Sequence, residues 1–394
     1  MKSPLSSLGI LFGIVISSFT VHAQDKPKSL YRRFMDGKLM QSNFVQQFIS
    51  SEKDTSRHTS FLVLPALGYA QETGLEYGLS GVVNYKMDRS DSLIRTSSLL
   101  LMGTLTEKGQ SYLKLQSDLW TKGNTYHVLS LIRWRNFPFN FYGVGGDTHK
   151  ADEQLITQKL FSFNVLGERK IAPQYYAGLT FRYQQYDYVN NGSPGIFESG
   201  NFYGRDGGKL MAVGISQTFD NRNSNVYTTR GYQLQAIYSY APDFFGGDNF
   251  TGSELSLNLK AFYPVFPKVT LGIQLTYDEL FGNIPFYLYP QLGNDEVMRG
   301  YYQGRFRDKT LFTSQAELRY RFVNRFAIVA FGGAGTVYSS KFVLSGLKPS
   351  FGGGIRYFFD INHNSSVRID YAVGEKRAGE PRQSGVYLSL GEAF

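Results

Sequence analysis

From about Ser60 to Phe394 the chain repeats one unit, roughly ten residues alternating apolar and polar and then a turn. Four segments show the alternation cleanly. In Ser111 to Trp120, Leu113, Leu115 and Leu119 fall on one face, and Tyr112, Lys114, Gln116 and Asp118 on the other. In Glu254 to Phe262, Leu255, Leu257, Leu259 and Ala261 oppose Glu254, Ser256, Asn258 and Lys260. Phe312, Ala316, Leu318 and Tyr320 oppose Thr313, Gln315, Glu317, Arg319 and Arg321, and Val367, Ile369, Tyr371 and Val373 oppose Arg368 and Asp370. A soluble sandwich would turn the apolar row to its core and needs a second sheet to cover it. A membrane barrel turns that row to lipid and the polar row to a wet lumen.

The spacing predicts about 16 antiparallel strands. They fall near 58–69, 74–87, 93–105, 110–121, 125–136, 158–168, 174–187, 208–219, 230–241, 252–262, 268–279, 310–321, 325–337, 348–359, 365–374 and 384–394. Connections after even strands are short, as at Thr121 to Asn124 and Val323-Asn324. Several after odd strands are long, notably Phe137 to Thr157, Tyr188 to Gly207 and Leu280 to Lys309. Short periplasmic turns and long outer loops place both ends of the barrel in the periplasm.

The N-terminal stretch reads as a secretory signal. Lys2 starts it, Leu8 to Val15 is its apolar core, and Val21-His22-Ala23 offers the small residues of a cleavage site. The apolar run is short of the ~20 residues that cross a ~30 Å bilayer as a helix. The predicted division is therefore a signal peptide at 1–23, a short periplasmic segment at 24–57 and an outer-membrane barrel at 58–394. Leu30 to Ile49 is loosely amphipathic and predicts one helix, weakened by Gly37.

Composition fits this reading. The mean hydropathy of −0.26 suits a soluble protein, but a barrel hides its lipid face in alternate residues. With 28 Tyr and 32 Phe, the aromatic load suits girdles at the two membrane interfaces. The absence of cysteine excludes disulfides and thiolate metal sites. The net charge of +9 comes without a Lys/Arg run, which argues against nucleic acid. Lumenal arginines and the phosphates of lipopolysaccharide account for it better.

Met298-Arg299-Gly300-Tyr301 lies in the longest loop, between the eleventh and twelfth strands. Asp220-Asn221-Arg222, with Asn225, Tyr227, Thr229, Arg230 and Gly231, follows the eighth strand. Pro65 through Gln71-Glu72-Thr73-Gly74 forms the first hairpin, and the final strand, Val386 to Phe394, carries Gly391 near its end and a closing Phe394. These four features resemble the bacterial surface antigen family, the barrel superfamily of BamA and TamA. The resemblance implies that the long loop folds into the lumen, locked by Arg299, Gly300 and Tyr301 against Glu317. Gly333 stands where the family places an aspartate, so the remaining acids are Glu317, Asp278 and Asp370. The resemblance also implies that a closing aromatic is read by the barrel-assembly machinery. Large members carry periplasmic POTRA repeats. A domain needs ~50 residues or more, and 24–57 is too short for one.

No chemistry of an enzyme stands out. His58, His127, His149 and His363 remain after the signal, and none lies in a nucleophile motif. Parity points His127 into the lumen beside Arg133 and Arg135; a satisfied lumen residue explains it better than a catalytic base. Asp147, Asp152 and Glu153 read as a solvated acidic loop, and the glycine runs lack the lysine of a phosphate cradle. No cofactor is expected. At the seam, Pro65 removes an amide donor from the first strand and Gly391 permits the last to turn.

The expected function is outer-membrane biogenesis or translocation of protein or lipid, with partners replacing the missing repeats. The expected surroundings are outer-membrane lipids, lipopolysaccharide and protein partners in the outer membrane or periplasm. A structural platform subunit, a passive pore and self-association through a weak seam stay open.

Overall fold

A computed structural model describes residues 59–70, 73–88, 94–190, 194–246 and 249–394. The signal segment, residues 24–57 with their helix, His58, and Gln71-Glu72 of the first hairpin lie outside them.

The strands are β1 (Thr59–Ala70), β2 (Gly74–Tyr85), β3 (Ser97–Thr106), β4 (Ser111–Trp120), β5 (Tyr126–Phe141), β6 (Gln154–Ala172), β7 (Tyr175–Asn190), β8 (Gly207–Asp220) and β9 (Gly231–Ala241). They continue as β10 (Gly252–Phe266), β11 (Val269–Gly282), β12 (Gln291–Leu292), β13 (Phe306–Arg307), β14 (Thr310–Val323), β15 (Phe326–Tyr338), β16 (Lys348–Asp360), β17 (Ser365–Val373) and β18 (Ser384–Leu390). Sixteen strands pair in sequence order, each antiparallel to the next, while β12 and β13 form a separate ribbon inside the long loop. β1 lies beside β18, so the sheet rolls into a barrel.

Period-two alternation sets which way each side chain points. The β11–β14 register shows the result. Val269↔Tyr320, Leu271↔Leu318 and Ile273↔Ala316 form the outer rows; Thr270↔Arg319, Gly272↔Glu317 and Gln274↔Gln315 form the inner ones. Leu318 is 46% exposed, whereas its neighbours Glu317 and Arg319 are at most 1% exposed. Outward Leu113, Trp134 and Phe161 sit side by side across β4, β5 and β6, and all are exposed. An exposed apolar band of this extent has lipid as its natural solvent.

Several strand boundaries differ from the sequence reading. β5 and β6 run through much of the stretch expected as loop, to Phe141 and from Gln154. Their upper ends pack a lumenal cluster of Phe139, Phe141, Ile156, Leu160, Tyr186, Phe197, Phe286 and Tyr287. There Phe137, Phe139 and Phe141 face the lumen while Asn136 and Asn140 face outward, so the alternation is reversed although the strand continues. The last strand is shorter than expected and stops at Leu390. Gly391 adopts φ +77°, and the chain turns into the lumen. Phe394 therefore does not lie in the seam. It is buried against Phe262, with Arg319 over its ring at 5.2 Å.

Parity yields a direct test. Leu257 faces Tyr277 and Ala236 in the outer rows, whereas Asn258 lies in the inner row beside Gln274. Leu257→Arg should cost ~2–4 kcal/mol near the midplane, and Asn258→Arg much less. Reversible unfolding in lipid measures both; equal costs would contradict the assigned faces.

Candidate functional site

The long loop after β11 enters the lumen and is anchored at its Arg-Gly-Tyr tip. The Arg299 guanidinium forks between two carboxylates, at 2.7 Å from Glu317 on β14 and 2.5 Å from Asp370 on β17. All three side chains are fully buried. Phe331 of β15 lies beneath the guanidinium, 3.5 Å from its ring centre. A planar five-donor fork can hold two acids at once, which an ammonium does poorly.

The acids are themselves shared. Glu317 also meets Arg319 at 2.8 Å, and Asp370 meets Arg356 at 2.5 Å and Arg368 at 3.3 Å. Arg356 reaches Glu392 at 2.8 Å, and Arg368 reaches Asp295 of the loop at 2.8 Å. Four arginines thus meet four carboxylates. Burial of so many charges is tolerable only because each has a partner of opposite sign.

Backbone contacts complete the anchor. The Gly300 amide donates to the Tyr387 hydroxyl of β18 at 2.8 Å, and the Ser350 hydroxyl donates to the Arg299 carbonyl. Gly300 has φ +104°, and a Cβ there would lie 2.8 Å from the Val373 carbonyl carbon. Tyr301 is 1% exposed; its hydroxyl donates to the Pro349 carbonyl at 2.5 Å and accepts from the Glu375 amide at 2.9 Å. Gly354 leaves the space that the Asp370 carboxylate fills, since a Cβ would stand 1.9 Å from Oδ1.

The structure thus brings Arg299, Gly300, Tyr301 and Glu317 together and adds Asp370. Asp278, another acid considered from sequence, instead accepts from the Ser256 hydroxyl at 2.6 Å. Arg319, Arg356, Arg368, Tyr387 and Gly354 are participants that the sequence did not single out. Their signal was lumen-facing parity, which marks a side chain as inward without saying how far the loop descends.

The second motif is a folded turn. Arg222 grips Asp220 with Nε and Nη2 at 3.0 and 2.8 Å, and Arg95 reaches the same carboxylate at 2.9 Å. Asn225 donates to the Thr96 carbonyl at 2.8 Å, tying this turn to the one between β2 and β3. Gly231 has φ +96°, where a Cβ would meet the Asn221 carbonyl at 2.6 Å. Arg230 is exposed; its amide donates to Asn223 Oδ1 at 3.2 Å and its carbonyl accepts from the Asn223 amide at 3.1 Å.

His127 is inward, but Arg133 and Arg135 are not its neighbours. It sits between Asp118 and Glu168, 3.1 Å from each, and stacks on Trp120 at 3.7 Å. Six or more residues of extended strand separate it from the arginines, at ~3.3 Å per residue. At the seam, Pro65 points outward opposite Leu79 on β2, in a β1–β2 pairing without a register shift.

Arg299→Ala should release the loop. Losing one partner of a buried pair costs ~3–5 kcal/mol. The lower part of that range is expected, because Glu317 and Asp370 keep other arginines. Limited proteolysis should then cut near Tyr301; unchanged cleavage and heat stability would contradict an anchored loop. Gly354→Ala should have the same effect without changing any charge, because its Cβ would meet both the Asp370 carboxylate and the Ile369 carbonyl of β17. Wild-type protease resistance in that variant would remove Asp370 from the anchor.

Comparison with known proteins places this architecture. The profile of the Omp85 superfamily domain matches residues 103–394. A search of curated proteins returns no match. Among solved structures, BamA from Haemophilus ducreyi lacking POTRA domains 1–3 aligns at TM-score 0.54 and 15% identity, over 85% of this chain and 70% of that one. CdiB from Acinetobacter baumannii aligns at TM-score 0.52 and 10% identity, over 85% of this chain and 65% of that one. CdiB from Escherichia coli aligns at 0.54 and 11%, over 84% and 62%. The chain spans under two thirds of either CdiB. The family match covers well over half of the sequence, and the chain belongs to the Omp85 superfamily as an outer-membrane β-barrel.

Proposed function

We propose that this barrel acts in outer-membrane biogenesis or in translocation of protein or lipid, by opening between β1 and β18. The observation that carries the proposal is the Gly300–Tyr387 hydrogen bond, which joins the loop tip to the last strand. Arg299 holds Asp370 on the neighbouring strand, so moving the loop loads the two strands beside the seam. A closed barrel has no free edge, and an insertion or translocation path through its wall needs one. A backbone hydrogen bond is worth ~0.5–1.5 kcal/mol in water and more in lipid, so the strands that meet at the seam part most cheaply where fewest are made. The similarity to BamA and CdiB supports the reading. A lumen filled by loop, aromatic cluster and chain end speaks against a passive pore.

The reading includes no enzymatic step and no cofactor. It assigns residues 24–57 to the periplasm, after a signal peptide at 1–23. It gives the loop lock to Arg299, Gly300, Tyr301 and Glu317, and the gate to the strands that carry Pro65 and Gly391. The partners it calls for are outer-membrane lipids, lipopolysaccharide and proteins of the outer membrane or periplasm.

The native chain has no cysteine, so engineered pairs act alone. A cysteine pair across β1 and β18 should abolish function when oxidised and restore it on reduction, in cells that depend on this protein. A control pair at Tyr371 and Val386, already opposite each other on β17 and β18, should be harmless. Full function with a locked seam would reject the gate and favour a platform subunit.

A further inference from the structure

The turn between β8 and β9 has eight strands of the sheet on either side of it, so it starts from the wall opposite the seam. Its side chains nevertheless reach the wall on both flanks of the seam. On one flank Asn225 pairs twice with Thr96, the residue before β3. Its Nδ2 donates to the Thr96 carbonyl at 2.8 Å, and its Oδ1 accepts from the Thr96 amide at 3.3 Å. Arg95 of the same β2–β3 turn holds Asp220, at the root of the β8–β9 turn, at 2.9 Å, and lies over the Trp120 ring of β4 at 4.9 Å. On the other flank Tyr227 is buried with Ala327 of β15, Phe358 of β16 and Ile361 of the turn that follows. The Tyr227 and Phe358 rings meet edge-on with centres 5.0 Å apart, and the Arg321 guanidinium lies over both, at 5.2 and 3.7 Å.

Counted around the wall through β2, β1, β18 and β17, β3 and β16 are five strand spacings apart, ~24 Å in all. Their attachment points on the turn are two residues apart, at most ~7 Å of chain. The turn therefore ties the two flanks to each other as well as joining β8 to β9. Thr96, Trp120, Ala327 and Phe358 lie at the strand ends that carry the short turns, which puts the tie at the periplasmic end. A third contact lies at the same level. Asn84, near the end of β2, donates to the Ser365 hydroxyl at the start of β17 at 3.1 Å. β18 ends with Leu390 opposite Val367, so Ser365 lies beyond it, where the last strand has run out.

We propose that residues 221–230 form a clasp on the seam, with Asn225 and Tyr227 as its two positioning residues. The clasp holds the periplasmic ends of the flanking strands together, while the loop tip acts on β18 from within the lumen through Gly300 and Tyr387. A paired carboxamide and an edge-on ring contact are short-ranged and directional, so each is either made or lost. The periplasmic end of the seam then parts only after one of the two contacts lets go. This inference rests on the reading that β1 and β18 separate in function, and it adds what restrains them.

The test is amide hydrogen exchange of the full-length barrel in lipid nanodiscs. It is read at residues 59–62 and 388–390, the periplasmic ends of β1 and β18, with β10 and β11 as reference. Asn225→Ala removes two hydrogen bonds and should speed exchange at the seam about tenfold. Tyr227→Ala should act in the same way, whereas Tyr227→Phe keeps its ring on Phe358 and should match the wild type. β10 and β11 should keep the wild-type rate in all three variants. Wild-type exchange at the seam in both alanine variants would overturn the clasp. An equal rise in β10 and β11 would overturn it too, because it marks a general loosening of the barrel. Should Tyr227→Ala fail to fold, Asn225→Ala decides by the same criteria. The readout is the parting of the strands, so failure of the clasp leaves the seam-lock experiment untouched. Faster seam exchange in these variants, together with full function of the oxidised seam-locked barrel, would support the clasp and reject only the gate.

Discussion

The interaction on which the rest depends is the Arg299 fork between Glu317 and Asp370. It takes one side chain from a loop and joins it to two strands that are not neighbours, β14 and β17. A buried ion pair adds little net stability over an apolar replacement, yet breaking one is costly. Such a contact is therefore better understood as fixing where the loop goes than as holding the barrel together. The barrel itself rests on the backbone ladder that joins sixteen strands in sequence order and on apolar rows turned to lipid.

Given that fork, much of the lumen follows. The two acids would overload a single arginine, and Arg319, Arg356 and Arg368 share them. Arg356 in turn meets Glu392, and the Phe394 main-chain oxygen accepts from Arg319 at 2.8 Å. The end of the chain is thus drawn into the same network as the loop tip. Nearer the long-loop end the lumen changes character, with aromatic rings from β5 and β7 and aliphatic side chains from β6 packed against Phe286 and Tyr287 of the loop. Charge places the tip and apolar packing covers the rest, so the loop is held by two unlike kinds of contact.

The sequence showed the fold almost completely because a barrel strand carries its burial in alternate residues. Leu257 and Asn258, or Glu317 and Leu318, declare their faces without help from tertiary structure. Reading failed where the lumen ceases to be polar: Phe137, Phe139 and Phe141 point inward, so β5 lost its pattern before it ended. The Arg299–Glu317 contact was legible from motif and parity together. Asp370 was named only as one acid among three. Choosing between it and Asp278 depends on how deep the loop descends, which local sequence does not encode. Phe394 was misplaced for a related reason. An aromatic at the end of an apolar strand suits a lipid face, and only the turn at Gly391 redirects it.

The account stands on the loop tip being held inside the barrel and bonded to its last strand. Amide hydrogen exchange over residues 296–303, measured in lipid nanodiscs, tests this most directly. The Gly300 amide donates to the Tyr387 hydroxyl at 2.8 Å, and the Met298 amide donates to the Gln315 side-chain oxygen at 3.2 Å. The account predicts protection of this segment close to that of β14, and its loss in Asp370→Asn. Exchange at the rate of an unstructured peptide in the wild-type barrel would contradict it.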